Sequence, residues 1–222
     1  MKIIDPSVFI SKSELSSIKL SQIERYGRVC YKSEIINSNN SSADAFIRKL
    51  IASKHESVLE HEKASVHAIV DRGVSHEIVR HRIASYSQES TRYCNYGKDK
   101  FGNEITLIRP FFYDLSSEAY AIWEKSCKYT EMAYLELLKQ GTAQEARSVL
   151  PNSLKTEMVI TYNFREWRHF FNLRCAASAH PQMRQITIPL LLKFKDYLPC
   201  LFDDIDYDRS FPEYNYAKII ET

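Results

Sequence analysis

Glycine is scarce: the 222 residues contain five, at positions 27, 73, 97, 102 and 141. Neither GxGxxG nor GxxxxGKS/T can be assembled from them, which excludes the Rossmann and P-loop phosphate cradles. A nucleotide bound here must be held by side chains, and arginine, with its planar fork of donors, is the natural choice. Long apolar runs are also missing, so no membrane span is expected, and the opening Met1-Lys2-Ile3-Ile4-Asp5 lacks a signal-peptide pattern. The cysteines (30, 94, 127, 175 and 200) are odd in number and show no CxxC or other metal-type spacing. Free thiols in a cytoplasmic protein are the expectation. Strong charge of one sign is absent too. A formal net charge of +2 argues against bulk electrostatic capture of nucleic acid.

What is present is concentrated between Arg80 and Tyr93, where the chain reads Arg-His-Arg-Ile-Ala-Ser-Tyr-Ser-Gln-Glu-Ser-Thr-Arg-Tyr. Guanidinium forks beside hydroxyls and an amide suit phosphates and the edges of a nucleobase. The basic and aromatic residues also interleave as they do in single-stranded nucleic-acid binders. That alternative uses one segment only and calls for a basic stripe that the near-neutral total charge does not supply.

The periodicity predicts one α+β domain over residues 1–222, with long helices packed on a mainly antiparallel sheet. Helical spacing runs from Ser13 to Tyr31, from Ala43 to Ser53 (with Ser41 or Ser42 as the cap), and from Ser116 to Lys139. Shorter helices are expected from Arg72 to His81 and from Ala143 to Val149, the latter closed by Pro151, and two more from Asn163 to Arg174 and from Pro181 to Tyr197. Alternation from Glu62 to Val70 predicts a half-buried strand, with a second from Glu104 to Ile108 after a polar turn at Lys98 to Asn103.

On a helical wheel of about 100° per residue, Phe164, Trp167, Phe170 and Phe171 share one side and face the core. Arg165, His169 and Asn172 cluster opposite. Arg174 falls between Trp167 and Phe170 on the apolar side, and Asn163 falls there as well. Two readings stand. Either both sit at helix ends, Asn163 as the cap and Arg174 reaching out past the last turn, or Arg174 is a guanidinium held in a pocket and aimed at an anion. A buried charge without a partner costs several kcal/mol, so the second reading requires a ligand or a carboxylate.

His55-Glu56-Ser57-Val58-Leu59-Glu60-His61 suggests metal by composition, but its spacing is not HExxH. Ser57 followed by Glu60 reads instead as a capping box, and no metal site is assigned. Arg147-Ser148-Val149-Leu150-Pro151 puts an arginine at the negative end of a helix.

Arg80-His81-Arg82, seven residues and then Ser90 reproduce the signature of one family, and Ser90-Thr91-Arg92-Tyr93 continues it. With the His55–His61 block, Arg147 to Pro151, Asn163-Phe164-Arg165, His169, Asn172-Leu173-Arg174 and Ala179 to Gln182, the chain resembles the flavin-dependent thymidylate synthases over most of its length. Ser87 and Glu77 depart from the pattern, which more often has asparagine and glutamine there.

The resemblance implies methylation of dUMP to dTMP, with methylenetetrahydrofolate as carbon donor and FAD, reduced by NADPH, as hydride carrier. By position, Ser57, Arg80, His81, Arg82, Gln88, Asn163, Arg165 and His169 would be FAD contacts. Glu77, Ile78, Val79, Arg80, Gln88, Glu89, Ser90, Thr91, Arg92, Arg147 and Arg174 would meet dUMP. The resemblance also implies a homotetramer with sites shared between subunits. Arg174 is the expected catalytic group, stabilising negative charge on the pyrimidine as an oxyanion hole does. Ser90 is read as a phosphate or sugar ligand; the alternative, a covalent nucleophile, needs a positioned base that the sequence does not supply.

Overall fold

The structure, a computed structural model, describes residues 1–33 and 40–222, with the side chains of positions 40 and 41 excepted. It is α+β, as expected. The strands are β1 (Lys2–Ile4), β2 (Ser7–Ile10), β3 (Lys63–Asp71), β4 (Ala84–Gln88), β5 (Thr106–Ile108), β6 (Lys155–Asn163) and β7 (Lys218–Glu221). The helices are α1 (Ile18–Tyr31), α2 (Asn40–Ala52), α3 (Arg72–Ile78), α4 (Glu118–Gln140), α5 (Ala143–Ala146), α6 (Phe164–Arg174), α7 (Pro181–Tyr197) and α8 (Pro199–Phe202). Five strands form one sheet in the order β4-β6-β3-β2-β7, and β1 and β5 form a second. The sheets include parallel pairings, β2 with β7 (Val8 opposite Ile219) and β1 with β5 (Ile3 opposite Leu107).

The chain divides into two compact units. The first comprises Met1–Pro6, Ala68–Arg80 and Ser87–Met158; the second comprises Ser7–His67, His81–Tyr86 and Val159–Thr222. In the first, Tyr96, Ile105, Leu107, Cys127, Tyr134, Ala146 and Leu154 form the core, with α4 packed on it. In the second, the aromatic face of α6 is the centre. Trp167 stacks on Phe171 with ring centroids 5.3 Å apart and meets Phe194 at 5.0 Å. All three are buried, and the indole Nε1 donates to the carbonyl of Ala64 at 3.0 Å, so no polar atom of that tryptophan is stranded.

Most helix ends fall where the sequence puts them. Asp71 caps α3 by accepting from Val74 N at 2.7 Å, and Ser117 caps α4. Two caps differ. Helix α2 begins at Asn40, upstream of both expected cap serines, and the Ser42 hydroxyl donates to Glu24 at 2.7 Å instead. Ser57 and Glu60 make no capping box: the segment is a 3-10 turn, Glu56–His61, whose cap position is His55, without a side-chain bond. The Glu60 carboxylate is drawn to the Arg165 guanidinium instead. The expected first helix opens as a separate 3-10 turn, Lys12–Leu15.

Five strands, β1, β2, β4, β6 and β7, have no counterpart in the sequence reading, and two of them, β4 and β6, contain expected site residues. Strand β4 lies inside the Arg80–Tyr93 segment, with Tyr86 and Gln88 half-buried between exposed Ser85 and Ser87. Strand β6 has the period-2 burial of Thr156, Met158, Ile160 and Tyr162 and runs directly into Asn163 and α6. Strand β2 lies beside β3.

Candidate functional site

Helix α6 is the organising element of the site in the second unit. Asn163 ends β6 and caps the helix, its side-chain oxygen accepting from Glu166 N at 2.8 Å. The cap leaves Arg165 exposed on the first turn. One turn on, Glu166 and His169 follow on the same flank, and Arg174 closes the helix. The C-terminal end is pinned from outside by buried Thr187, whose hydroxyl donates to the Arg174 carbonyl at 2.9 Å.

His81, from the basic segment, is 5% exposed and faces this helix. Its ring meets Phe170 edge-on at 4.9 Å and lies 5.6 Å from the His169 ring. Arg174 Nε donates to His81 Nε2 at 3.1 Å. An arginine nitrogen can only donate, so Nε2 is the acceptor and the ring proton sits on Nδ1, which donates to Glu166 Oε1 at 3.0 Å. Tyr86 fixes the backbone, its hydroxyl donating to the His81 carbonyl at 2.6 Å.

The electrostatics agree with that tautomer. Burial, then the charges of Arg174 and His169, hold the His81 imidazole down to about 4, so it is neutral near pH 7. Burial raises the Glu166 carboxyl above the usual range, with His169 opposing. His81, Glu166 and His169 bring possible metal-ligating atoms within 4.8 Å of one another. They make a poor cation site as arranged, because both His81 nitrogens are engaged and a guanidinium adjoins one of them.

A cleft of about 540 Å³ opens along the same flank, lined by Glu56, Glu60, Ile83, Asn163, Arg165, Glu166, Arg168, His169 and Asn172. Asn163, Arg165 and His169 were expected site residues. The others were not, and Glu166 is the one of chemical consequence. Its signal was available on the wheel, between His169 and Phe170. Arg168 is structural, bonded bidentately to Asp204 at 2.7 Å through each nitrogen. Ser57 is exposed on the 3-10 turn, and Arg82 is exposed beside His81.

The remaining expected residues lie in the first unit. Gln88 Nε2 donates to Ser75 Oγ at 2.9 Å and Thr156 Oγ1 at 3.2 Å. Glu89 is committed internally, to Lys155 at 2.8 Å and the Tyr96 hydroxyl at 2.7 Å. Burial opposes the charge of Lys155, but Glu157 and Glu89 outweigh it and raise that amine's pKa. Ser90 accepts from Arg92 N at 3.3 Å, which shapes the turn after β4. Arg92 is exposed over the Tyr93 ring, Arg147 is exposed on the turn after α5, and Arg80 is exposed just past α3. Glu77 is half-buried, Thr91 buried and Val79 exposed; Ile78 is wholly buried. Cys175 is buried and its thiol pushed up to about 12 by burial, which removes it as a nucleophile.

Fold and donors together describe an α+β protein whose arginines, amides and imidazoles, rather than a glycine loop, are of a kind that suits anionic ligands. The family model for thymidylate synthase complementing protein matches residues 16–200. A flavin-dependent thymidylate synthase of Geobacter sulfurreducens is 35% identical over 184 residues, 80% of this chain and 78% of that protein. One from Mycobacteroides abscessus is 32% identical over 202 residues, 83% and 78% of the two chains. Among solved structures, the UMP/dUMP methylase PolB of Streptomyces cacaoi, bound with 5-Br dUMP, matches at a TM-score of 0.69 over 91% of this chain and 96% of that one; at 19% identity the likeness is one of fold. The chain belongs to the flavin-dependent thymidylate synthase family. It is an FAD-dependent methyltransferase that forms dTMP from dUMP, and NADPH and methylenetetrahydrofolate are the family's cosubstrates.

Proposed function

We propose that in this chain Arg174 activates the pyrimidine of dUMP, and that the two polar sets read from the sequence divide between flavin and nucleotide. The supporting observation is the gathering of His81, Asn163, Arg165 and His169 about α6 in the second unit. The donor chemistry of the cleft suits FAD. Asn163 stands at the positive end of α6, Arg165 offers an exposed guanidinium for a phosphate, and His169 adds a polar edge. Ser57, Arg80, His81, Arg82 and Gln88 complete that set. When bound, FAD supplies the hydride chemistry; the residues supply position and charge.

Arg92, Arg147 and Ser90 hold the nucleotide phosphate, which two guanidiniums and a hydroxyl match in charge and geometry. Glu77, Val79, Arg80, Gln88 and Thr91 form the surrounding wall. Ile78 packs behind that wall, and Glu89, held by Lys155 and Tyr96, keeps the segment in shape. Position 5 of the uracil is a poor nucleophile until electron density is pushed into the ring, and Arg174 stabilises the negative charge that builds at N3 and its carbonyl neighbours. Its Nε is committed to His81, so the guanidinium plane is set before substrate arrives.

The methylene carbon comes from methylenetetrahydrofolate, and residues 1–222 serve as a single flavin-dependent thymidylate synthase domain. The active assembly is a cytoplasmic homotetramer with shared sites. The test is dTMP formation from dUMP with FAD, NADPH and methylenetetrahydrofolate, each omitted in turn, with the absorption spectrum of the purified protein. A colourless protein that takes up no added FAD and oxidises no NADPH defeats the reading.

A further inference from the structure

Glu166 lies outside both expected ligand sets, yet it is 7% exposed and bonded to a ring that touches Arg174. Burying a carboxylate is costly without a partner, and the Glu166 carboxylate is partnered by His81 Nδ1 at 3.0 Å. On the other side of the same ring, Nε2 accepts from Arg174 Nε at 3.1 Å. The three groups form a line of carboxylate, imidazole and guanidinium, all within the second unit.

The direction of the two bonds is forced. A neutral imidazole carries one proton, and only the Nδ1-protonated tautomer can donate to Glu166 and accept from Arg174 together. The Nε2-protonated form sets an N–H against the guanidinium N–H, which repels the arginine. The ring has little freedom to choose otherwise: Phe170 abuts it at 4.9 Å and the Tyr86 hydroxyl holds its carbonyl at 2.6 Å.

We propose that Glu166 is a positioning residue for the reaction: it holds His81 in the Nδ1-protonated tautomer, and the bare Nε2 of that tautomer aims the Arg174 guanidinium. The inference rests on the reading of Arg174 given above. Glu166 acts through His81 and touches neither substrate nor reacting atoms. Nothing in a neutral cavity-filling role for Glu166 requires an acceptor at this atom, so acceptor capacity is what the test varies.

In the FAD-loaded holoenzyme, Glu166→Leu removes the acceptor. It is expected to lower kcat about 10²-fold, the scale of losing one preorganised donor, at little change in KM for dUMP. Glu166→Gln keeps an oxygen for Nδ1–H and should hold kcat within about tenfold of the native enzyme, since an amide hydrogen bond is weaker than a charge-assisted one. With histidine labelled with ¹⁵N, the native His81 shows a protonated Nδ1 and a bare Nε2, and E166L shows a mixture of tautomers. His81→Phe removes the Nε2 acceptor that Glu166 is argued to hold for Arg174 Nε, so adding E166L to that variant should cost no further activity. An E166L enzyme with native kcat, or with His81 still wholly Nδ1-protonated, overturns the inference, as does a full additive loss in the double variant. Should E166L not fold, Glu166→Ala, which also lacks an acceptor, and its double with H81F carry the same comparison. Arg174→Ala separates this from the parent reading. If R174A still forms dTMP, the role of Arg174 fails; if R174A is inactive while E166L is not, only the relay fails.

Discussion

Arg174 and His81 lie 93 residues apart in the chain and are joined by a 3.1 Å hydrogen bond from Nε to Nε2. The bond needs a neutral imidazole, and burial with two flanking cations supplies one. An arginine and a histidine that would repel when both are charged are thus compatible at working pH.

Arg174→Ala should cut dTMP formation by at least 10²-fold, on the scale of a lost oxyanion-type donor, while bound FAD still shows its absorption spectrum. Arg174→Lys should recover little of it, because an ammonium lacks the fork that both His81 and a planar base edge require. Near-native turnover in R174A, measured with saturating cosubstrates, sinks the assignment.

Arg165 and Asn163 are adjacent in function but should separate in their effects. The Arg165–Glu60 pair is exposed at 53% and 46% and adds less than about 1 kcal/mol to stability. Arg165→Ala is therefore expected to leave the urea midpoint nearly unchanged and to weaken FAD binding by about tenfold or more, the value of a charge-assisted bond. Asn163→Ala also loses the α6 cap and should cost about 1 kcal/mol of stability. Paired titrations with FAD and with urea distinguish the two; equal stability losses contradict the geometry.

Ser90→Ala should keep measurable turnover, with KM for dUMP raised about tenfold for one lost hydrogen bond. Ser90 Oγ sits against Arg92 N as a turn acceptor, which suits a ligand more than a nucleophile. Complete loss of turnover with dUMP still bound revives the covalent alternative.

His81 gives stability a pH dependence with a definite sign. Its folded pKa, about 4, lies below the usual 6.5. An unfolded chain takes up a proton as pH falls through 6.5, whereas the folded ring refuses it until about 4. This stabilisation is whole above pH 6.5 and is lost on acidification across that window, up to about 3 kcal/mol. Glu166, raised by burial, works in the opposite sense and reduces the loss, and the charges of Arg174 and His169 face the same ring. His81→Asn should flatten the fall in unfolding free energy between pH 7 and 5; parallel curves for the two proteins refute the assignment.

Much of the molecule was legible before its fold. The wheel of Asn163–Arg174 placed four aromatic residues on the core side, and Phe164, Trp167, Phe170 and Phe171 are all buried. The end points of α7 match residue for residue, because His180 and Pro181 mark its start. Strand β6 went unread although Thr156, Met158, Ile160 and Tyr162 alternate, since its polar outward positions are charged and mixed. Strand β4 hid within a segment whose polarity was assigned wholly to ligands.

The sequence by itself determined the family and supplied the arginines and hydroxyls proposed above as anion ligands, because such groups at fixed spacing carry their chemistry with them. It also placed Arg174 on an apolar face and left two readings of that fact. Only the tertiary structure supplied a partner for it. Arg174, half-buried at the end of α6, donates to the back of His81, which Glu166 holds from its other side. Proton placement depends on which atoms meet across the fold, and a hydrogen bond spanning 93 residues leaves no periodic trace in the chain that makes it.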